Sequence, residues 1–169
     1  MEIKSQFEYL GKIAKSHWVE DDPSKDFPTG EKLDGVHSFC FYNDKMVVVL
    51  NKKGMWTPPG GYIEIGETYE DASIREVKEE SNMKVLYQKC LGYQDVTDED
   101  GKNRSRQVRM FCVVEPHGDF KDDPDGDITE IKLIDPKDFR ETVGWGEIGD
   151  RILELSLKEK NNYGTNKRN

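Results

Sequence analysis

The sequence predicts a single α/β domain, because runs rich in β-branched and aromatic residues alternate with segments of helical periodicity. The chain has 169 residues, a length that suits one domain able to bury a core without disulfides or structural metals. No internal repeat and no long linker divides it. We expect a domain at residues 34–160, an N-terminal helix or arm packed on it at 1–33, and a frayed polar tail at 161–169.

The N-terminal segment is interpreted as a short amphipathic helix or an irregular arm. Ile3, Phe7 and Leu10 recur at helical spacing within residues 1–15. Residues 21–30, which follow, carry two prolines and a glycine and are predicted to form a loop. The strands are expected to begin after this loop.

Five strands are predicted from runs of β-branched and aromatic residues. They are residues 36–42, 46–50, 85–96, 106–115 and 129–134. Asn43-Asp44 separates the first two runs and makes them a hairpin, and Asp100-Gly101 provides a turn between the third and the fourth. One helical turn is expected at residues 136–140.

Two helices complete the prediction. The clearer one spans residues 68–81, where Thr68 followed by Asp71 is a capping-box pattern. Asn82 marks its end, because asparagine tolerates the left-handed conformation found after many helices. The second helix is C-terminal, has apolar residues along one side, and is expected to end near Lys160.

The charge of the chain limits its partners. It has 25 basic and 34 acidic residues, which gives a net charge of −9. A general nucleic-acid-binding protein needs a basic face that displaces counterions from phosphates, so nucleic acid is not an expected partner. A small phosphorylated substrate is compatible with this charge if a bound divalent metal offsets the repulsion.

No segment has the features of a membrane span or an export signal. The longest apolar run is Met46 to Leu50, and the first residues lack a basic segment followed by an apolar one. Cys40, Cys90 and Cys112 are odd in number, and their spacing fits no zinc site. We therefore expect three free thiols, no membrane association and a cytoplasmic protein.

Three carboxylates share one face of the clearer helix. Glu76, Glu79 and Glu80 lie within one turn, at relative positions i, i+3 and i+4. Like charges at this spacing repel, and a hard divalent cation with oxygen ligands would reverse the sign of the interaction. A solvated acidic face is the alternative for the glutamates alone. Gly60-Gly61, just before the helix, lets backbone approach a ligand and favours a cradle for metal and phosphate.

The segment from Gly61 to Met83 resembles the Nudix box, whose pattern is G-x5-E-x7-R-E-U-x-E-E-x-G-U with U apolar. The matching positions are Gly61, Glu67, Arg75, Glu76, Val77, Glu79, Glu80 and Met83. The single departure is Asn82, where the family has glycine. Because asparagine is the next-best residue for left-handed backbone, we expect the helix to end there all the same.

The resemblance implies a Nudix-like α/β/α sandwich with a mixed β-sheet. It also implies hydrolysis of a nucleoside diphosphate linked to another group, with Mg²⁺ or Mn²⁺ as cofactor. Carried over by position, Glu76, Glu79 and Glu80 would be catalytic metal ligands, joined by a backbone carbonyl of Gly60 or Gly61. Glu76 is the best candidate among them to orient or deprotonate the attacking water.

The resemblance further implies a supporting ion pair between Glu67 and Arg75, which would orient the helix.

Binding roles for residues outside the box are predicted from residue type alone. The candidates for phosphate contacts are Lys52, Lys53, Arg104, Arg106 and Arg109. Trp145 and other aromatic residues are candidates for stacking on a nucleobase. Ordinary surface charge and core packing are the alternatives for both groups.

Acidic residues outside the box receive weaker interpretations. Glu115 and Glu130 are each candidates for an extra metal ligand or base. The acidic run at 123–127 is interpreted as a solvated turn, because it lacks the glycine that an EF-hand requires after its third acidic position. The three histidines, His17, His37 and His117, are assigned no role.

Two alternatives to a small-molecule hydrolase stay open. One is a Nudix-fold sensor that binds a nucleotide without cleaving it, although such proteins usually lose box carboxylates that this chain keeps. The other is an isomerase or an RNA-cap-cleaving enzyme, against which the net charge of −9 argues mildly. The expected partner is a nucleotide-type small molecule, and a homodimer is a further expectation from the fold family.

Overall fold

Helices cover both faces of one mixed sheet, and the glutamate-bearing helix lies on one of these faces. The computed structural model describes residues 1–9, 11–25, 33–101, 103–119 and 123–166. The strands are β1 (Glu2–Tyr9), β2 (Lys12–Val19), β3 (Gly35–Tyr42), β4 (Lys45–Asn51), β5 (Trp56–Thr57), β6 (Gly60–Tyr62), β7 (Met83–Asp98), β8 (Arg104–Pro116) and β9 (Ile128–Ile134). The helices are α1 (Tyr69–Ser81), α2 (Phe139–Thr142) after a short 3-10 turn (Pro136–Asp138), and α3 (Gly146–Asn166).

The described strands form a sheet in the order β1-β2-β7-β8-β3-β4-β5, with β6 paired to β3 and β9 paired to β4. The β3–β8 pair is parallel, with Cys40 opposite Cys112, and the other pairs are antiparallel. The predicted α/β class, the mixed sheet and the hairpin of β3 and β4 are therefore confirmed.

Alternation along the strands divides the core into two layers. Residues that share the α1 face are Val36, Cys40, Val108, Met110, Cys112, Ala72 and Val77. Residues that share the α3 face are Trp18, Phe39, Phe41, Phe111, Phe139, Ile148 and Ile152. Each helix thus buries an apolar stripe against its own side of the sheet, which is the sandwich arrangement.

The N-terminal segment is a β-hairpin, so the prediction of a short helix or an irregular arm is wrong. Strands β1 and β2 pair along their whole lengths, and β2 adds the hairpin to the edge of β7. A spacing of four residues, as between Ile3 and Phe7, places side chains on one face of a strand as well as a helix. Only Ile3 of this pair packs on the core, while Phe7 stays exposed. Leu10, also part of the helical pattern, lies outside the described residues.

The C-terminal helix is longer than predicted. It continues to Asn166, so residues 161–166 are helical rather than a frayed tail. Tyr163 gives this last part an anchor, because its ring stacks on the ring of Tyr87 with centroids 5.0 Å apart. Among the described residues, no helix is both long and apolar enough to cross a membrane.

A buried ion pair joins the neighbouring strands β7 and β8. Arg106 is 3% exposed, and its Nε and Nη2 donate to the two carboxylate oxygens of Asp95 at 2.8 and 2.9 Å. Its guanidinium also lies 3.8 Å from the ring centre of Tyr93. Burial opposes ionisation of Asp95, but hydrogen bonds from Arg106 and Arg104 outweigh it and lower the pKa of the carboxyl.

We expect Asp95→Asn to lower the free energy of unfolding by about 3 kcal/mol, because it removes the carboxylate that forms a paired hydrogen bond with a buried guanidinium. Arg104→Gln, which removes the more exposed partner of Asp95, should cost under about 1 kcal/mol. Since the pKa of Asp95 is lowered in the folded state, its contribution is complete at neutral pH and is lost as the pH falls below the ordinary aspartate range. Urea unfolding of both variants at neutral and acidic pH checks this. Equal losses in the two variants would contradict it.

Candidate metal and phosphate site

The glutamate-bearing helix is fixed at both ends. Thr68 Oγ1 accepts a hydrogen bond from the Asp71 amide at 3.1 Å, and the Asp71 carboxylate accepts one from the Thr68 amide at 3.4 Å. Asn82 ends the helix in the left-handed conformation, with φ of 49°. The capping box and the asparagine stop predicted from the sequence are both confirmed.

The departure from the box pattern adds a contact. The Asn82 side-chain amide donates to the Asp119 carbonyl at 2.6 Å, and the His117 amide donates to the Asn82 carbonyl at 2.9 Å. A glycine could end the helix here but could not make the first of these bonds. The helix end is therefore tied to the chain segment that follows β8.

The glycine loop lies directly against two of the carboxylates. Glu80, 8% exposed, accepts a hydrogen bond from the Gly60 amide at 2.8 Å. Glu76, 7% exposed, lies so close to Gly61 that a Cβ on this glycine would be 2.5 Å from Glu76 Oε1. The loop must consequently be free of side chains at this point, which explains the glycine.

Arg75 orients the acidic face. It forms a paired hydrogen bond with Glu67, from Nε to Oε1 at 2.8 Å and from Nη2 to Oε2 at 2.9 Å. Its Nη1 donates to Glu76 Oε1 at 2.8 Å and to Glu79 Oε2 at 3.2 Å. Its Nη2 also reaches the carbonyl of Tyr62. One guanidinium thus joins the loop, Glu67 and two of the three box glutamates.

Each of the three glutamates keeps one oxygen open. The oxygens that accept hydrogen bonds from Arg75 or the Gly60 amide are Glu76 Oε1, Glu79 Oε2 and Glu80 Oε2. The other oxygens, Glu76 Oε2, Glu79 Oε1 and Glu80 Oε1, have no hydrogen bond to the part of the chain that the structure describes, and none is a buried unpaired atom. Three oriented carboxylates therefore offer oxygen atoms to solvent or to an ion.

The electrostatics indicate crowding of negative charge. Burial, together with the charges of Glu76, Asp123 and Asp127, raises the pKa of Glu80 to about 8 against the opposing effect of the Gly60 amide. Burial also raises the pKa of Glu76, helped by Glu79 and Asp125 and opposed by Arg75. A bound divalent cation would relieve this repulsion.

These residues fit Mg²⁺ or Mn²⁺ by donor type, because all the open atoms are hard carboxylate oxygens. Within the described ranges, no three Asp, Glu, His or Cys side chains already lie close enough together to hold an ion. Glu76 and Glu79 are turned toward Arg75, and Glu80 toward Gly60. Ion binding would draw the open oxygens together.

The acidic loop 123–127 belongs near this face, which the sequence analysis missed. Asp123 is buried and organises the loop, accepting hydrogen bonds from the amides of Asp127 and Ile128 at 2.8 and 3.0 Å. Asp125 and Asp127 are exposed, and they act on the pKa of Glu76 and Glu80. The signal available in the sequence was the density of acidic residues directly before β9.

A groove of about 480 Å³ opens beside the acidic face. The residues that line it are Asp71, Ile74, Arg75, Lys78, Glu79 and Pro124. It therefore runs between the outer side of α1 and the acidic loop, with Glu79 at its wall. Lys53, a predicted phosphate contact, hydrogen-bonds the Tyr9 hydroxyl at 2.7 Å and lies within electrostatic range of Asp127.

A second polar cluster lies on the α3 side of the glycine loop. His37 is opposite Gly60 in the β3–β6 pairing, and Arg109 is opposite His37 in the β3–β8 pairing. Trp145 packs its ring edge-on to His37 at 5.3 Å and lies 5.0 Å from the Arg109 guanidinium. Burial and the charge of Arg109 lower the pKa of His37 to about 3, and burial lowers the pKa of Arg109 to about 9.

The structure separates the other predicted phosphate contacts from this cluster. Arg104 and Arg106 both bind Asp95, and Arg106 also donates to the carbonyls of Pro23 and Lys25. The Arg106 guanidinium is thus engaged inside the fold, which argues against the phosphate contact predicted for it. Trp145 and Arg109, by contrast, come together beside the glycine loop.

Comparison with known proteins gives consistent results. The family model described as "NUDIX domain" matches residues 32–154. An uncharacterized Nudix hydrolase of Bacillus subtilis is 31% identical over 84 residues, which are 48% of this chain and 53% of that protein. The ADP-ribose pyrophosphatase of Methanocaldococcus jannaschii is 36% identical over 62 residues, 34% of this chain and 37% of that protein. This chain therefore spans about half the length of the first relative and less of the second.

A solved structure supports the fold over most of the chain. The crystal structure of a Bacillus subtilis pyrophosphohydrolase variant superposes with a TM-score of 0.65 at 22% identity, covering 95% of this chain and 98% of that chain. At this identity the likeness concerns the fold alone. The covered part of the chain is longer than the segment 32–154 that the family model matches.

Proposed function

Because this chain belongs to the Nudix family, we propose that it is a metal-dependent pyrophosphohydrolase that cleaves a nucleoside di- or triphosphate derivative by water attack at phosphorus. The observation that carries the proposal is the set of three glutamates, each with one oxygen fixed by the chain and one left open. The glycine loop beside them brings backbone within reach of the same face. A solvated acidic helix would need neither feature.

In this proposal Glu76, Glu79 and Glu80 hold Mg²⁺ or Mn²⁺, with a backbone carbonyl of Gly60 or Gly61. The bound metal would neutralise phosphate charge and activate water. The residues of the chain provide the orientation. Arg75 fixes Glu76 and Glu79, and the Gly60 amide fixes Glu80.

The remaining acidic groups have distinct proposed roles. Glu76 Oε2 can accept a hydrogen bond or a proton from water, because Arg75 occupies only Oε1. Asp125 is exposed, and its charge helps to raise the pKa of Glu76. We therefore propose it as an additional acidic group facing the bound ion. Glu115 instead pairs with Lys84, and Glu130 is exposed on β9, which gives neither of them support as a ligand.

We expect hydrolysis to depend entirely on added metal. A panel of dNTPs including oxidised forms, ADP-ribose, nucleotide sugars, dinucleoside polyphosphates and capped RNA would be incubated with Mg²⁺, Mn²⁺ or EDTA. Mass spectrometry should detect phosphate-containing fragments with metal and intact substrate with EDTA. In 18O-labelled water, one fragment should carry the label on phosphorus.

The similarity to the ADP-ribose pyrophosphatase of Methanocaldococcus jannaschii is the reason for including ADP-ribose in this panel. Binding of a nucleotide in a thermal-shift assay without cleavage of any panel member would contradict the hydrolase and favour the sensor. Cleavage of capped RNA alone would favour the RNA-directed alternative.

The proposed setting is the cytoplasm, where thiols stay reduced, since Cys40, Cys90 and Cys112 are all free. The proposed partner is a small nucleotide rather than nucleic acid, in keeping with the net charge of −9. The homodimer expected for the fold family stays a prediction, which light scattering coupled to size-exclusion chromatography would test.

A further inference from the structure

The polar cluster on the α3 side of the glycine loop contains a buried cation without an acidic partner in the described part of the chain. Arg109 is 3% exposed, and its Nη2 donates to Gln94 Oε1 at 2.8 Å and Gln107 Oε1 at 2.9 Å. Its Nε is buried without a hydrogen bond. A buried guanidinium whose described neighbours are neutral is costly, and this one lies next to the candidate site, so we ask what it does there.

Arg109 determines which nitrogen of His37 carries the proton. Its Nη1 lies 3.1 Å from His37 Nδ1. Arginine can only donate hydrogen bonds, so Nδ1 must be the acceptor. The proton of the neutral ring is then on Nε2.

His37 Nε2 is an available donor. It forms no hydrogen bond with any described residue, and it is not one of the buried unpaired atoms, so it is open to solvent. The ring is half-buried, is held edge-on by Trp145, and lies against the glycine loop, where a Cβ on Gly60 would be 3.0 Å from His37 Cγ. The ring that carries the open N–H therefore lies beside the backbone that contacts Glu80.

We propose that His37 donates a hydrogen bond from Nε2 to a phosphate oxygen of the substrate on the α3 side of the glycine loop, with Arg109 as the positioning residue that fixes the tautomer. An anionic oxygen is the favoured acceptor, because the guanidinium behind the ring makes this spot locally positive in a chain of net charge −9. The Arg109 arrangement continues outward, since Gln94 Nε2 donates to Ser16 Oγ at 2.6 Å. The substrate contact rests on the proposed function, whereas the tautomer does not.

Histidine labelling tests the tautomer without any substrate. The chain has 3 histidines, so 15N-labelled imidazoles give few signals, and His37→Gln assigns the one of interest. At neutral pH we expect His37 to show a protonated Nε2 and an unprotonated Nδ1. In Arg109→Met, the averaged signals of both tautomers should appear. A protonated Nδ1 in the wild type, or an unchanged pattern in the variant, would overturn the positioning role.

The 15N signals of the histidines also test the proposed contact between His37 Nε2 and a substrate phosphate. Saturation with Mg²⁺ and α,β-methylene-ADP, a nucleotide that resists cleavage at that position, should shift His37 Nε2. His17, paired with Glu2 on the N-terminal hairpin, should stay unchanged as an internal reference. An unshifted His37 at saturation, or absence of probe binding by calorimetry, would overturn the contact. A shift without turnover on any panel substrate would reject the hydrolase proposal while leaving this contact in place.

Kinetics separate a substrate contact from a structural role. His37→Asn keeps an acceptor near Nδ1 but lacks a donor at the Nε2 position, while His37→Gln can place an amide N–H there. On the best panel substrate, His37→Asn should raise KM about tenfold and leave kcat nearly unchanged. A tenfold change is the effect expected from losing one hydrogen bond to a charged group. The KM of His37→Gln should stay within about threefold of the wild-type value. Equal KM values for the two variants, both folded by circular dichroism, would contradict the donor.

Discussion

Glu80→Gln should abolish metal-dependent turnover, with kcat reduced by about 10³-fold or more, and leave the folded state at least as stable. The loss is expected because one of the three open carboxylates is removed from the proposed metal site. The stability is expected to hold because glutamine can still accept the Gly60 amide bond at its side-chain oxygen. The substitution also removes an acidic group whose ionisation is opposed by burial and by the charges of Glu76, Asp123 and Asp127.

The two readouts must be measured on the same preparation. Turnover is measured on the best panel substrate with Mg²⁺, and thermal unfolding is measured in EDTA, so that metal binding does not contribute to stability. Glu147→Gln, an exposed carboxylate in the first turn of α3, is the matched control. Near-wild-type turnover in Glu80→Gln would remove this residue from the proposed ligand set.

Gly61→Ala should lower kcat/KM by about 10²-fold and cost only about 1 kcal/mol of stability. The new methyl group would lie 2.5 Å from Glu76 Oε1 and 2.8 Å from its Cδ, so the carboxylate must leave Arg75 and its place in the site. A side-chain end can move, which keeps the fold intact. Steady-state kinetics and urea unfolding measure the two effects.

Two neighbouring glycines provide the controls for that substitution. A Cβ on Gly60 would be 2.1 Å from the Val36 carbonyl oxygen, which is backbone and cannot yield, so Gly60→Ala should destabilise the fold by about 3 kcal/mol or more. A Cβ on Gly66 would meet nothing within 4 Å, so Gly66→Ala should cost only the strain of its φ of 89° and spare the site. Parallel effects in Gly61→Ala and Gly66→Ala would contradict the proposed clash with Glu76.

Local signals explain how much of the fold could be predicted. The capping box at Thr68 and the stop at Asn82 are short-range interactions, and both ends of α1 follow from them. The N-terminal hairpin depends instead on pairing between β2 and β7, more than 70 positions apart in sequence, which no local pattern specifies. The last turns of α3 likewise depend on a tertiary contact, between Tyr163 and Tyr87.

The candidate site likewise combines residues that local sequence patterns reveal with residues that depend on tertiary contacts. The box glutamates were recognisable because their spacing on one helix is a local property. The proposed roles of the 123–127 loop and of His37 were not recognisable from the sequence, because each depends on which strands lie side by side. His37 contacts Arg109 only because β3 and β8 pair in parallel. Arg106 has the same residue type as Arg109, yet it faces Asp95 inside the fold. Residue type alone could not separate the two arginines.

Asn82 has a mechanical consequence for the site. It is the one fixed box position that differs from the family pattern, and its side-chain amide ties the end of α1 to the Asp119 carbonyl. Asp119 stands on the connection that leads from β8 to the acidic loop. Glu79 and Glu80 lie one turn or less from that helix end. Because a glycine has no side chain, the family residue could not link the end of α1 to the segment after β8 in this way.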